Sequence, residues 1–498
     1  MKKMQILETT KNIKDWLDIK YHDLLDTNIF NIHTNFNIKN CINCALPHDN
    51  MECLNKYYKN ISFYKKNITK AKEIKLPYVT NKQDDDIDFI LLEYIKYTKN
   101  VLPIILWPTI ASKTFFQDKK SKPFMDFLHK NGKILIIKLI KLTKKQAESF
   151  IFQIYSSSAH FKIYQNLLHG LKMKQFKKDT DNPLIIIFWV PKLNNKIYFG
   201  DNNLQKKKLR NLLFKTYEKE LSDDYSDDEY KKKDLIHITN CELETIELAQ
   251  LIFNRNSLEM MKYQRMDILI GKYRKFTKSI IILNLYKKIL YLNFQLIDIN
   301  RFLAFSSIVL FALGLRDIND IDAFFYHKPG FISSETDKLK YLIDEFISEN
   351  LGGKKRQVIE FTVKGYGDWD FKNYKEYPHK WFEEKLPKLY GANTYENVIF
   401  NPKFHFYFLG IKCVSYQGDF ARRASRNRPA SIADLIAVNR MTHLKINIPK
   451  LPEKIWVNHK EITIDDKEKN NIIRKIKNYL EYRYSIFINQ NEIDKLID

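Results

Sequence analysis

RFLAFSSIVLFALGLRDINDIDAFFY, running from Arg301 to Tyr326, is the stretch whose reading decides the fold. Arg301–Phe305 is a short apolar run and reads as a strand. Ser306 and Ser307 form a small polar turn, and Ile308–Leu315 reads as an apolar helix that closes around Gly314. After the polar segment Arg316–Asn319 a second strand is expected over Asp320–Phe325, opening Asp320-Ile321-Asp322. Alternate strand residues lie on opposite faces, so Asp320 and Asp322 fall on the same one. Two carboxylates there repel each other, and a bound divalent cation relieves the repulsion. Ala323, Phe324 and Phe325 anchor the strand in a core just beyond this acidic end.

Strand, small-residue turn, helix and a strand opening D-x-D, in that order, resemble the DNA polymerase β-like nucleotidyltransferase superfamily. The family's turn normally has Gly followed by Ser or Gly, where this chain has Ser306-Ser307. Gly314-Leu315-Arg316 and the later run from Arg422 to Leu435 (RRASRNRPASIADL) also resemble nucleotidyltransferase-like proteins of giant DNA viruses. The resemblance covers about Arg301–Asp370, with a looser match to Leu435. It implies a third carboxylate on a strand beside the D-x-D strand. Asp370 is the first choice and Asp368 the second; both follow the strand expected over Gln357–Val363, and Glu360 lies earlier in that strand. It also implies Mg2+ or Mn2+ held by Asp320, Asp322 and Asp370, which would serve as catalytic and metal-binding residues. Hard cations favour such oxygen ligands, and a pair of them can stabilise attacking and leaving oxygens in phosphoryl transfer. The Ser306–Ser307 turn, opening a helix, would offer backbone N–H groups to a triphosphate.

Working outward, Asp419–Asn439 carries Arg422, Arg423, Arg426 and Arg428 on one segment. Arg422 and Arg426, four apart, share a helix face. Guanidinium groups grip phosphate bidentately, so these four, together with Arg316, are expected to bind nucleotide or polynucleotide phosphates. The competing reading is ion pairing to Asp419. Upstream, Phe404–Val414 reads as one aromatic strand-like run. Val101–Trp107, Lys133–Leu142 and Leu184–Val190 read as buried strands, and Thr143 caps a helix reaching Tyr155. The charged blocks between 199 and 234 read as a solvated insertion.

The chain is therefore expected to be α/β (α+β). A polar segment (1–75) precedes an N-terminal α/β domain (76–260), followed by a nucleotidyltransferase-like mixed-sheet domain (261–418) and a mainly helical basic region (419–498). Cys41, Cys44, His48 and Cys53 have a spacing close to that of a zinc knuckle, but no glycine eases the turn, and unlinked cysteines are the favoured reading. Five cysteines in 498 residues argue for a reducing compartment. That places the chain in the cytoplasm, of a host cell or in a virion if the viral resemblance holds. The opening MKKMQILETTKNIKDW has no apolar core of a secretion signal, and no apolar run is long enough to span a membrane.

A net charge of +24 argues for a polyanionic partner. With the resemblance, it implies NTP as donor and a nucleic-acid end as acceptor, RNA ahead of DNA, by analogy with giant-virus poly(A) polymerases. Two other classes are consistent with the residues. One is a nucleic-acid-binding protein with a degenerate nucleotidyltransferase domain, suggested by Ser306 in place of Gly. The other is a glycosyltransferase, because D-x-D also holds the metal of nucleotide-sugar enzymes.

Overall fold

The computed structural model describes residues 79–80, 88, 91–92, 95, 101–155 except 112–114 and 117, 173, 176, 183–192, 198, 204–217, 235–274, 283, 302–325 except 319, 360–364, 368–370, and 384–497 except 427, 452–453, 458–459 and 464. Over these it is a mixed α/β chain with two compact units, Met1–Lys262 and Tyr263–Asp498. The Cys41, Cys44, His48 and Cys53 set lies outside the described residues, as do residues 218–234 of the charged blocks, while residues 204–217 of those blocks are a helix with Lys206 and Arg210 buried rather than solvated. No described helix is long and apolar enough to cross a membrane.

The first unit is built on strands β1 (Val79–Thr80), β2 (Leu102–Leu106), β3 (Gly132–Ile140), β4 (Leu184–Pro191) and β5 (Ile236–Ile238). They form a sheet in the order β1-β3-β4-β2-β5. β1 and β3 are parallel, and the other pairings are antiparallel. β2 and β4 are continuous apolar runs, buried throughout except at Val190, the pattern of strands covered on both faces. The unit also contains helices α1 (Lys122–Asn131), α2 (Lys144–Tyr155), α3 (Leu204–Tyr217), α4 (Glu242–Ile252) and α5 (Arg255–Met260). α2 starts with a reciprocal cap. The Gln146 N–H donates to Thr143 Oγ1 at 3.3 Å and the Thr143 N–H donates to Gln146 Oε1 at 3.1 Å. Gly132 is required where it stands, since a Cβ there would come within 2.3 Å of Trp189 Nε1.

The second unit opens with α6 (Met266–Arg274), β6 (Phe302–Phe305), α7 (Ser307–Ala312) and β7 (Asp320–Phe325). β8 (Glu360–Lys364) and β9 (Asp368–Asp370) follow, then α8 (Leu386–Tyr390), α9 (Tyr395–Phe400), β10 (His405–Phe408) and β11 (Ile411–Val414). The six strands form one mixed sheet in the order β10-β11-β6-β7-β8-β9. β6 and β7 are antiparallel central neighbours, and β7 and β8 are parallel. α7 packs on β6, β7 and β11. Its residues are all buried, as an apolar helix without a polar face must be. It ends in a Schellman motif: Gly314 lies at φ 79°, and the N–H groups of Gly314 and Leu315 return to the carbonyls of Phe311 and Leu310.

The run Phe404–Val414 is two strands rather than the one the sequence suggests. Leu409 (φ 50°) and Gly410 (φ 79°) both occupy the left-handed region, and β10 and β11 pair across them as a two-residue hairpin. Beyond the sheet come α10 (Tyr416–Arg426), α11 (Pro429–Met441), the hairpin β12 (Lys454–Val457) and β13 (Lys460–Thr463), α12 (Asp466–Tyr484) and α13 (Gln490–Ile497). α10 packs against α8 and α11, and α11 against α12.

Candidate functional site

The strand register sets out the acidic face. In β7 and β8, Asp320 pairs with Glu360 and Asp322 with Thr362. In β8 and β9, Thr362 pairs with Asp370 and Lys364 with Asp368. Paired positions lie on one side of a sheet and alternate along each strand. The positions of Asp320, Asp322, Glu360, Thr362, Lys364, Asp368 and Asp370 therefore share a face. The expected strand beside the D-x-D strand is β8, and its carboxylate is Glu360. Asp370 is not on that strand: it lies two strands from Asp322, with Thr362 between, about 10 Å away at the usual strand spacing. Sequence order misled here because β8 and β9 form an antiparallel pair, which carries the later carboxylates one strand outward.

Asp322 is half-buried, and its register partner on the other side is Phe305. Phe305 stacks on Phe324 with ring centroids 4.0 Å apart and planes at 8°. Tyr390 on α8 meets Phe324 edge-on at 6.3 Å. The acidic face is thus bordered by an aromatic cluster that fixes β6 against β7. Among the described residues, no group of three or more His, Cys, Asp or Glu is placed to hold a metal ion.

Ser306 makes the turn from β6 into α7 at φ 69° and ψ −118°. Glycine adopts this region at no steric cost, whereas an L side chain is strained there. The Ser306 N–H is not open to a ligand: it donates to Asp419 Oδ1 at 3.2 Å. Ser307 is buried, and α7 has six residues. The Ser306 half of the expected backbone cradle for a triphosphate is thus already engaged by a protein carboxylate.

Asp419 is fully buried on α10. Arg422 donates to its Oδ1 through Nη2 at 2.7 Å and Nε at 3.2 Å, and Arg423 Nε donates to its Oδ2 at 2.8 Å. Burial alone would raise the Asp419 pKa, but Arg423, Arg422 and these hydrogen bonds outweigh it and hold the carboxyl below its usual range. Arg423 reaches on to Asp434 of α11 through Nη1, and Tyr484 of α12 donates to the other Asp434 oxygen. Arg316 and Arg483 lie 3.9 and 3.6 Å from that oxygen. Arg422 and Arg423 are 2 % and 4 % exposed, so the ion-pairing reading describes both. Their acids are scarce in sequence but not in space, since Asp434 is delivered by the next helix. Arg316 joins the same hub. Asp419, at i−3 and i−4 from two arginines, is the ion-pair partner that the sequence offers as the competing reading, whereas nothing in the sequence singles out Asp434 or Tyr484.

Arg426 and Arg428 differ. Both are exposed, and neither has a hydrogen bond or ion pair among the described residues. Enough protein surrounds the Arg426 guanidinium that lost solvation, then repulsion from Arg422 and Arg428, brings its pKa down to about 10. It stays charged near neutrality. Comparisons with protein-family models, curated proteins and solved structures find no match to this chain.

Proposed function

We propose that the chain is a metal-dependent nucleotidyltransferase that moves a nucleoside monophosphate from an NTP to a polynucleotide end, with RNA favoured over DNA. The observation that carries this reading is the register of β7 and β8, which brings the Asp320, Asp322 and Glu360 positions together on one face of the sheet. Three hard oxygen donors on adjacent strands suit Mg2+ or Mn2+, so Asp320, Asp322 and Glu360 would hold the metal, with Asp370 outside this first set. When bound, the metal supplies charge neutralisation at the reacting phosphate. Half-buried Asp322 lies beside the Phe305–Phe324 stack, which keeps the strand end rigid. Exposed Arg426 and Arg428 would hold the donor's phosphates. The net charge of +24 supports a polyanionic acceptor.

One observation favours a second reading, a nucleic-acid-binding protein whose nucleotidyltransferase domain is degenerate. Ser306 sits in backbone space that suits glycine, and its N–H is taken by Asp419. Titrating Mg2+ and Mn2+ while following ATP binding to the full chain separates the two. Binding that strengthens with metal in the wild type, and does not in Asp322→Asn, supports transfer. Binding indifferent to metal supports the second reading.

A further inference from the structure

Among the described residues of the second unit, buried donors without an acceptor gather around α10: Arg316 Nε, Arg423 Nη2 and, on the side facing α8, the two that matter here. Tyr390 is 6 % exposed and its hydroxyl has no hydrogen-bond partner; Arg422 is 2 % exposed and its Nη1 has none. Buried polar atoms are nearly always satisfied, and an orphan calls for an explanation. The two atoms belong to one cluster. The Tyr390 ring lies against α10 so closely that a Cβ on Gly418 would come within 2.1 Å of it. Gly418, Arg422 and Arg426 follow one another at four-residue spacing, which places them along one side of the helix. The charges acting most strongly on the Tyr390 hydroxyl are Arg422, then Asp419, Arg426 and Arg423. The Arg422 guanidinium rests 5.1 Å above the Phe305 ring, and Phe305 is the register partner of Asp322.

The local charge balance points the same way. Asp419 and Asp434 are shared by Arg316, Arg422, Arg423 and Arg483. Arg426 and Arg428 add positive charge with no acid of their own. The Arg422 N–H can only donate and the Tyr390 hydroxyl can donate as well as accept, so one acceptor group between them would satisfy both, and the surrounding excess of arginine favours an anionic one.

We propose that Tyr390, Arg422 and Arg426, with Arg428 beside them, form a seat for a polyphosphate, the triphosphate of a nucleotide. Arg422 Nη1 and Tyr390 Oη would each donate to a phosphate oxygen, and Arg426 and Arg428 would neutralise the remaining charge. Calling the polyphosphate a nucleotide's rests on the nucleotidyl-transfer reading; the seat itself rests on the orphan donors. Phosphate handling at this end of the sheet then falls to α10 and α8, where the Ser306 N–H is already engaged.

Calorimetry on the full chain in EDTA, with inorganic triphosphate and with ATP, tests the seat. Arg422→Ala would disturb the ion pairs, so the variants are Tyr390→Phe and Arg426→Gln, with Arg440→Gln removing the same charge elsewhere on the second unit. Saturable binding of both probes is expected, weakened about tenfold by Tyr390→Phe and by Arg426→Gln and little changed by Arg440→Gln. Without ligand, Tyr390→Phe should melt no lower than wild type, because no bond is lost. The seat is overturned by absent triphosphate binding, by equal weakening in all three variants, or by a Tyr390→Phe protein that melts lower and binds triphosphate normally. A single-stranded oligonucleotide weakened by the two seat variants while triphosphate fails to bind would overturn the nucleotide assignment. Triphosphate binding that behaves as expected in a chain with no transfer activity would retire the enzymatic reading and leave the seat standing.

Discussion

The backbone N–H of Ser306 donates to Oδ1 of Asp419, 3.2 Å away, across 113 residues of sequence. This bond ties the turn between β6 and α7 to helix α10, and through Asp419 to Arg422 and Arg423. It holds a serine at φ 69°, a conformation that costs a non-glycine residue on the order of 1–3 kcal/mol.

Ser306→Gly should therefore stabilise the protein by about 1 kcal/mol, after allowing for glycine's larger unfolded-state entropy. Ser306→Val should destabilise it. Urea denaturation of the two variants checks the order, and a Gly variant less stable than wild type would mean that the serine side chain holds the turn.

Asp419→Ala should cost about 3–5 kcal/mol, because it leaves the buried Arg422 guanidinium without its carboxylate and takes one of two carboxylates from Arg423. Arg426→Ala, at an exposed and unpaired position, should change stability by no more than about 0.5 kcal/mol. Equal losses in the two variants would show that Arg426 belongs to the internal network.

Much of the central stretch was legible from the sequence. β7 spans the expected Asp320–Phe325, and β6 and α7 fall within a residue or two of their expected limits at the N-terminal end. Apolar runs with few polar interruptions allow little else, and Gly314 marks the helix end. The Leu409–Gly410 turn was missed because leucine rarely takes a positive φ and so gives no warning. Gly410 was the available signal. The placement of Asp370 beside the D-x-D strand differs from the structure because distance along a sequence does not say which strand pairs with which. Asp370 comes after a further strand reversal, whereas Glu360 is on the strand that lies against β7. The extent of ion pairing at the buried arginines is hidden from the sequence for a similar reason, since Asp434 approaches Arg423 from the following helix.

The Asp419 carboxyl, held below its usual range, makes stability depend on acid. A carboxylate with a depressed folded pKa contributes fully above its unfolded value of about 3.9, and the contribution is lost as pH falls toward the folded value. The melting temperature of the wild type should drop more steeply than that of Asp419→Asn below about pH 4, and the two slopes should converge above about pH 5. Parallel curves throughout would mean that Asp419 is not ionised in the folded chain.

If the positive charge serves a nucleic-acid partner, binding of a single-stranded RNA should weaken steeply with salt as phosphate contacts release counterions. A fluorescence-anisotropy titration between 50 and 200 mM salt, with about three to five contacts, should show a loss of roughly ten- to a hundredfold. Affinity that is flat across this range would remove nucleic acid from the partners.

The most direct test of nucleotidyl transfer is incorporation itself. Purified full-length protein is given Mg2+ or Mn2+, each labelled NTP in turn, and RNA or DNA primers. The expected result is metal-dependent primer extension that is abolished by Asp320→Asn and by Asp322→Asn and strongly reduced by Glu360→Gln, with Asp370→Asn much less affected and every variant melting near wild type. Extension that survives Asp320→Asn and Asp322→Asn at wild-type rate, or no extension by the wild type with any NTP, metal or primer, would contradict it.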